Sequence, residues 1–508
     1  MNGAVASSTA TWRPLKALLG GGIEVPEGVN VADLTLDSRS VRTGAAFLAC
    51  RGRTHHGLEF ARAAVTAGAR AILWEPAPGV SAPSFDDSVL VVAVPELSAQ
   101  VGYIADRFFG APSARLLVIG ITGTNGKTTC AWLLAAALSA SGRRCAYLGT
   151  LGAGLPDQVV AGQHTTPDAV TLQRQLAQLH AAGALAVAME VSSHALDQQR
   201  CAGVRFQLAA FTNLSRDHLD YHGDMHAYGE AKSTLFDWPT LSARVINVDD
   251  AFGAELAARL PPSEALILTG RRSDPSQCVP GARYLYAARS THEPRGLRIE
   301  LRSSWGEATL RSPLLGDFNV DNLLTVLAVL LAAGVSLPTA CRALAACQAP
   351  PGRMQLAGGD SLPLAIIDYA HTPDALEKAL AAVRAHCTGR VLCVFGCGGE
   401  RDRGKRAQMA RIAESLADEL YITDDNPRGE DPKQIVDDML AGLHTPERVH
   451  VQHDRAAAIS AALASAKSGD AVLVAGKGHE DYQLVGTERR AFSDLAQVNA
   501  ALKLRSAA

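Results

Sequence analysis

Residues 120–129 read GITGTNGKTT, with the apolar run LLVI before them at 116–119 and CAWLLAAAL after them at 130–138. An apolar run, a glycine-rich turn and an Ala/Leu-rich stretch, in that order, predict a strand, a tight loop and a helix. Glycines in such a loop let backbone N–H groups curl around phosphate oxygens, and the start of the helix adds partial positive charge. Lys127 contributes a full charge and Thr128 a hydroxyl suited to Mg2+. The stretch therefore predicts ATP as a ligand, held by Gly123, Thr124, Asn125, Gly126, Lys127, Thr128 and Thr129. One position departs from the strict phosphate-loop spacing. Ile121 stands where a glycine is expected, and the glycines fall three apart at Gly120, Gly123 and Gly126.

Outward from this loop, short apolar runs alternate with Ala/Leu-rich helical stretches, the pattern of an α/β protein with parallel sheets. Toward the N-terminus, strand-like runs stand at 71–74 and 89–94, with an amphipathic helix near 59–67, and FFGAPS at 108–113 marks a boundary. Toward the C-terminus, QAPPG at 348–352 marks a second boundary. Strands at 364–367, 391–395, 420–423 and 471–475 then alternate with helices. The expectation is three domains: a small one at 1–112, a central P-loop parallel-sheet domain at 113–350, and a Rossmann-like doubly wound domain at 351–508.

Composition narrows the function classes. At 508 residues the chain is too long for one core, given roughly 100–200 residues per domain. Apolar and aromatic residues make up 47 %, charged residues 19 %, and mean hydropathy is +0.06, which argues against long disorder. A net charge of −3 without a basic stripe argues against a nucleic-acid partner. The longest apolar stretch, 323–335, is interrupted by Thr325 and Gly334 and is too short for a membrane span. MNGAVASSTATWRPLK lacks the basic start and apolar run of a secretory signal. Ten scattered cysteines without CxxC read as small buried hydrophobes of a reducing compartment, so a cytoplasmic location is expected.

Two further clusters carry chemistry. An apolar run at 185–189 ends in Glu190, and an acid at a strand end beside a phosphate loop can hold Mg2+, although such a residue alone is more often a solvated edge. TNLSRDHLDYH at 212–222 follows another apolar run, and its density of titratable groups suggests the lip of a site, with His218 in the right topological place.

These motifs do not stand alone. GTNGKTT, HTTP (164–167), MEVSSHAL (189–196), TNLSRDHLDYHG (212–223), LLGDFNVDN (314–322), GRMQ (352–355), DYAHTPDAL (368–376), GCGGERDRGKR (396–406), DDNPR (424–428) and GKGHEDYQ (476–483) follow one another as in the Mur ligases. The chain resembles these ATP-dependent, ADP-forming amide ligases of bacterial peptidoglycan synthesis from about residue 36 to 483.

The resemblance implies that ATP phosphorylates a terminal glutamate carboxylate and that an incoming amine then displaces phosphate from the acyl phosphate. It implies UDP-N-acetylmuramoyl-L-Ala-D-Glu as one substrate and meso-diaminopimelate as the other, with ATP and Mg2+, in a monomer. Glu190 and His218 match metal-binding positions, and Lys232 matches a lysine carried as a carbamate that helps hold a second Mg2+. Local sequence alone marks Lys232 as a solvated helix residue. Lys127, Lys232, Glu190 and His218 are thus the implied catalytic group, with Asn319, Arg353 and Asp368 as further nucleotide contacts.

Leu36, Ser38, Arg53, Thr54 and His55 correspond to the uridine end of the sugar nucleotide. Thr165, Thr166, Ser192, Gln198 and Arg200 correspond to contacts with its diphosphate, sugar and peptide. His164 and His56 depart from the family pattern, where Asn and Asp are frequent.

Selectivity for the added amino acid is expected in Asp425, Asn426, Pro427 and Arg428. Proline holds the turn rigid so that the guanidinium can grip the extra carboxylate that distinguishes diaminopimelate from lysine. Arg401, Gly476 and Glu480 match further contacts to this amino acid. A lysine-adding ligase and a folylpolyglutamate-synthetase-like ligase are the alternatives in the same class. A silent nucleotide-binding protein on the same scaffold, or a simple P-loop kinase, would leave the other motifs without a use.

Overall fold

The computed structural model describes residues 12–52, 54–162 and 164–506. The chain is mixed α/β in three domains and divides into two compact units. One unit comprises residues up to 124 with 142–244, the other 125–141 with 245 onward.

In the first unit, four parallel strands, Asp33–Thr35, Ala45–Ala49, Ala71–Trp74 and Leu90–Ala93, pair in chain order. The middle two are buried at every position, as expected of parallel strands covered on both faces. Helix Leu97–Phe108 packs Val101, Ile104 and Ala105 on one face, and Ala61 and Ala64 cover the other. The expected helix near 59–67 divides into a 3-10 turn, Gly57–Phe60, and a helix, Ala61–Thr66.

The same unit carries the parallel strands Cys145–Gly149, Ala186–Glu190, Leu117–Thr122 and Phe206–Phe211, adjacent in that order. Two ion pairs tie the small domain to this sheet region: Arg174 to Asp33 at 2.8 Å and Arg205 to Asp106 at 3.3 Å. A Cβ on Gly102 would lie 2.1 Å from the Ala202 carbonyl, so the backbones there touch.

In the second unit, helix Asp317–Ala332 is buried nearly all round, which accounts for the long apolar stretch. No described helix is long and apolar enough to cross a membrane. Strands Arg283–Glu293, Gly296–Ser303 and Gly306–Ser312 form an antiparallel meander that the sequence reading missed. Its signal was present, because Gly296–Ser303 alternates buried and exposed residues through LRIELRS.

The third domain is a six-stranded sheet in the order Gln355–Gly358, Leu364–Asp368, Ala471–Ala475, Val391–Phe395, Glu419–Ile422, His450–Val451. All but the first pair are parallel, and apolar clusters cover both faces. Asp368, Gly396, Asp424 and Gly476 consequently emerge at the carboxyl ends of neighbouring strands, where open α/β sheets bind ligands.

Arg406, fully buried, donates to both carboxylate oxygens of Glu430, at 2.8 and 2.7 Å, and to Asp438 at 2.8 Å. The Arg406 hydrogen bonds hold the Glu430 carboxyl down from its ordinary 4.5 to about 2. A depressed carboxyl stabilises the fold above its unfolded pKa, and that contribution is lost as pH falls from about 4.5 toward 2. Glu430→Gln should lower the urea midpoint at about pH 7 and narrow the difference between that midpoint and the one at about pH 3 relative to wild type.

All ten cysteines are free thiols. Seven are buried as expected, and burial pushes Cys145, Cys201, Cys393 and Cys397 up to about 12. Cys278 departs from that expectation, lying exposed beside the 3-10 turn Pro275–Gln277.

Candidate active site

The loop after Leu117–Thr122 is built for close approach. Gly123 has φ +142°, and a Cβ there would lie 2.0 Å from the Thr212 hydroxyl. Gly126 has φ +86°, and its Cβ would meet Asn322 Oδ1 at 2.3 Å. Only glycine fits such positions. Thr124 N–H donates to the Asn213 carbonyl at 2.8 Å. Helix Lys127–Ala140 starts at Gly126 without a side-chain cap, leaving its first turn suited to phosphate. Ile121 is explained by the strand: it is buried and pairs with Glu190 and Ala210 on its two sides, so the position is not part of the loop.

At the next strand end Glu190 is 1 % exposed. One of its oxygens accepts from Tyr147 at 2.5 Å and from the Thr150 amide at 2.9 Å, the other from the Thr150 hydroxyl at 3.2 Å. Thr150 and Thr165 hydroxyls lie 3.0 Å apart, Thr166 donates to the Glu190 carbonyl at 2.8 Å, and the Ser192 amide donates to Thr166 at 3.1 Å. Three of the expected sugar-nucleotide contacts are thus joined in one network to the expected metal carboxylate. Arg200 continues it, donating to the Thr166 carbonyl at 3.1 Å and to Gln198 at 3.0 Å, while Gln198 donates to Tyr221 at 2.9 Å. Neither Tyr147 nor Tyr221 was singled out by the sequence reading.

Lys232 reverses its local reading. It is 1 % exposed, donates to the Gly123 carbonyl at 2.9 Å, and lies 4.4 Å from the ring centre of Tyr228, one helical turn earlier. The two residues share the face of helix Met225–Ser233 that carries its buried positions. His218 has left-handed backbone, φ 53°, half-exposed, with its ring 4.8 Å from that of His194. Burial and the nearby His218 push His194 below the ordinary histidine value. Among the described residues no three His, Cys, Asp or Glu side chains group as metal ligands. Carboxylate oxygens such as those of Glu190 and hydroxyl oxygens such as that of Thr128 are each of the donor type that Mg2+ takes.

The residues expected at the uridine end behave less uniformly. A cavity of about 500 Å3 is lined by Leu36, Asp37, Arg39, Gly149, His164 and Arg174. Ser38 opens a 3-10 turn capped by Asp37. Thr54 and His55 are exposed, His55 pairing with Glu59 at 3.2 Å, and Arg53 lies outside the described residues. His56 substitutes chemically for Asp: its Nδ1 accepts the Leu58 amide at 3.1 Å and caps the following turn.

In the second unit, Asn319 donates to the Leu315 carbonyl at 2.8 Å and accepts from Asn322 at 2.9 Å, and Asn322 is the residue against Gly126. Asp368 accepts from the Met354 and Ala370 amides at 2.8 and 2.9 Å. Burial pushes its carboxyl up against the opposing Arg353 charge. Arg353 stacks on Tyr369, 4.7 Å from the ring centre, and its buried Nε has no partner among the described residues. A buried donor left over in this way fits a site whose remaining acceptor comes from a ligand.

At the DNPR turn Arg428 adopts φ 54°, and its Nη1 donates to the Gly399 carbonyl at 2.7 Å. Its Nε and Nη2 bond to no described residue, leaving a pair of donors. Arg401 is exposed, and both guanidinium side chains pack at Gly398, whose Cβ would lie 2.9 Å from Arg428 Nη1 and 3.7 Å from Arg401 Cγ.

Asn426, 4 % exposed, is held at both its oxygen and its nitrogen. Its oxygen accepts from Lys477 at 3.0 Å and the Leu484 amide at 2.9 Å, and its amide donates to Glu480 at 2.9 Å. One of its two amide N–H groups is thereby spent on orienting Glu480. Lys477, quoted within GKGHEDYQ but given no role there, is completely buried and also donates to Glu480 at 3.1 Å. Burial pushes the Asp425 carboxyl up, opposed by Arg455 and Lys477. Gly476, φ +117°, has room for no side chain, since a Cβ would meet Asp425 Oδ2 at 2.6 Å.

Three family models match in chain order: Mur ligase family, catalytic domain, at 30–107; Mur ligase middle domain at 121–330; and Mur ligase, glutamate ligase domain, at 352–478. The chain belongs to the Mur ligase family. This Mur ligase is 51 % identical over 481 residues to the UDP-N-acetylmuramoyl-L-alanyl-D-glutamate--2,6-diaminopimelate ligase of Ectopseudomonas mendocina, covering 95 % of this chain and 97 % of that one. It is 48 % identical to the enzyme of the same name from Pseudomonas aeruginosa, covering 93 % and 95 %. A solved structure of a ligase of that name matches with TM-score 0.72 and 35 % identity over 98 % of this chain and all of the other. Folylpolyglutamate synthase of Mycobacterium tuberculosis, at TM-score 0.56 and 17 % identity over 73 % of this chain and 91 % of its own, shares the fold alone.

Proposed function

We propose that this Mur ligase adds meso-2,6-diaminopimelate to UDP-N-acetylmuramoyl-L-alanyl-D-glutamate with hydrolysis of ATP to ADP and phosphate, a cytoplasmic step of peptidoglycan precursor synthesis. The observation that supports the choice of amino acid is the Arg428 guanidinium at Gly398, with the Arg401 side chain beside it and with Nε and Nη2 of Arg428 bonded to no described residue and so able to take a carboxylate. The names of the close relatives agree with it. We assign the domains as 1–112 for the uridine end, 113–350 for ATP and 351–508 for the amino acid, and read the protein as a monomer.

In the proposed reaction the glutamate γ-carboxylate oxygen attacks the terminal phosphorus of ATP, the bond to the bridging oxygen breaks, and ADP leaves. The amine of diaminopimelate then attacks the acyl-phosphate carbon, phosphate departs with its bonding pair, and the nitrogen gives up a proton. Both steps bring anions together, so fixed positive charge and loop amides lower the barrier. Lys127 and the amides of 123–129 take the phosphates, with Asn319, Arg353 and Asp368 holding the rest of the nucleotide. Thr165, Thr166, Ser192, Gln198 and Arg200 hold the sugar nucleotide, with Leu36, Ser38, Arg53, Thr54 and His55 at its uridine end. Thr128, Glu190, His218 and a carbamate on Lys232 would hold Mg2+, which when bound neutralises phosphate charge. Arg401, Arg428 and Glu480 grip the amino acid, positioned by Asp425, Asn426, Pro427 and Gly476.

ADP release from purified protein given the UDP-muramoyl dipeptide should depend on diaminopimelate and be far slower with lysine. Equal rates with the two amino acids, or release that needs neither, would overturn the assignment. Intact mass at neutral pH should show the carbamate on Lys232.

A further inference from the structure

His386, the last residue of helix Pro373–His386, is 6 % exposed and joins the third domain to the segment carrying Asn319. Its Nδ1–H donates to the Glu293 carbonyl at 2.6 Å, which leaves Nε2 to accept the Gly316 amide at 2.9 Å. The two bonds require one neutral tautomer. Around it the segment is seated tightly on the third domain. Gly316 has φ +86°, and a Cβ there would lie 2.6 Å from Ala382 Cβ on the same helix. Leu315 is part of the third-domain core with Ala379, Leu380 and Val383, and Phe318 packs against it. One turn on, the Asn319 amide donates to the Gly316 carbonyl at 3.0 Å, and Asn322 lies against Gly126 of the phosphate loop.

We propose that His386 is a positioning residue for the nucleotide, seating segment 314–319 on the third domain so that Asn319 and Asn322 are held in place for ATP. The inference rests on the reading of Asn319 as a nucleotide contact. Nothing in His386 touches the reacting atoms; it acts through the Gly316 amide. The groups facing it work in opposite directions. Burial and His292, whose ring lies 4.8 Å away on strand Arg283–Glu293, disfavour its charged form. The hydrogen bond to the Glu293 carbonyl favours it, as do Asp317, held by His292 at 2.8 Å and by Arg271 at 3.3 Å, and the helix C-terminus on which His386 sits. The net direction is down from 6.5, so the imidazole is neutral at pH 7. Protonation of Nε2 would remove the acceptor of the Gly316 amide.

The test uses the whole protein and a non-hydrolysable ATP analogue in titration calorimetry, with hydrogen exchange of the peptide covering 314–319 as a second readout. His386→Leu removes both bonds and should weaken analogue binding roughly five- to tenfold and speed exchange in 314–319, with the diaminopimelate KM unchanged. His386→Gln can still accept the Gly316 amide, and should recover most of the affinity and protection. Wild-type affinity should fall as pH drops below about 6.5, and the glutamine variant should lack that component. Unchanged binding in His386→Leu would overturn the inference, as would equal losses in both variants or a pH response surviving in His386→Gln. Failure of the wild type to bind the analogue would overturn the ligase reading instead, and this inference with it.

Discussion

Arg428→Ala should raise the KM for diaminopimelate by roughly ten- to a hundredfold while leaving the KM for ATP within about twofold, read from ADP release at varied amino acid. The guanidinium is held by one nitrogen on the Gly399 carbonyl at 2.7 Å, and the proposed reading gives its Nε and Nη2 to the carboxylate. Arg428→Lys separates shape from charge. A lysine keeps the positive charge but not the parallel donors, so it should recover only a small part of the loss. The left-handed backbone at this position is common to both variants, so the comparison isolates the side chain. Equal shifts in the two KM values would mean that the turn is structural and that the carboxylate is held elsewhere.

The second large effect is expected at the phosphate loop. Lys127→Ala should lower kcat by about 10^2 to 10^3, because in the proposed reaction it removes the positive charge that meets the phosphoryl group as charge redistributes. The amino-acid KM should change little, since Lys127 opens helix Lys127–Ala140 whereas Arg401, Arg428 and Glu480 stand at the carboxyl edge of the third-domain sheet. Residual activity near the wild-type level would show that the loop amides alone suffice.

The two stretches behind these predictions were the most legible parts of the chain. A phosphate loop and a proline-stiffened turn impose backbone requirements within a few consecutive residues, so glycine, proline and threonine declare them locally. Even the departure at Ile121 has a local cause, since the strand runs on through Thr122. The carboxyl-end placement of Asp368, Gly396, Asp424 and Gly476 also followed from strand spacing, because every parallel strand in one sheet points the same way.

What stayed hidden depends on partners far apart in the chain. Lys232 reads as a solvated helix residue, yet its ammonium is buried on a carbonyl 109 residues earlier. Asn426 reads as a ligand contact, and the sequence gives no sign that Lys477 and the Leu484 amide both bond its oxygen. His386 carries no local mark at all, and its meaning comes from Glu293 and Gly316 on two other elements.

The sequence by itself determined the α/β class, the family, the phosphate loop and the turn expected to grip the amino acid. These are written in backbone conformations that neighbouring residues dictate. Only the tertiary structure decided which polar side chains are held by the protein and which keep hydrogen-bonding capacity for a ligand. Hydrogen bonds are shared out by packing between distant segments, and a pattern along the chain does not contain that division.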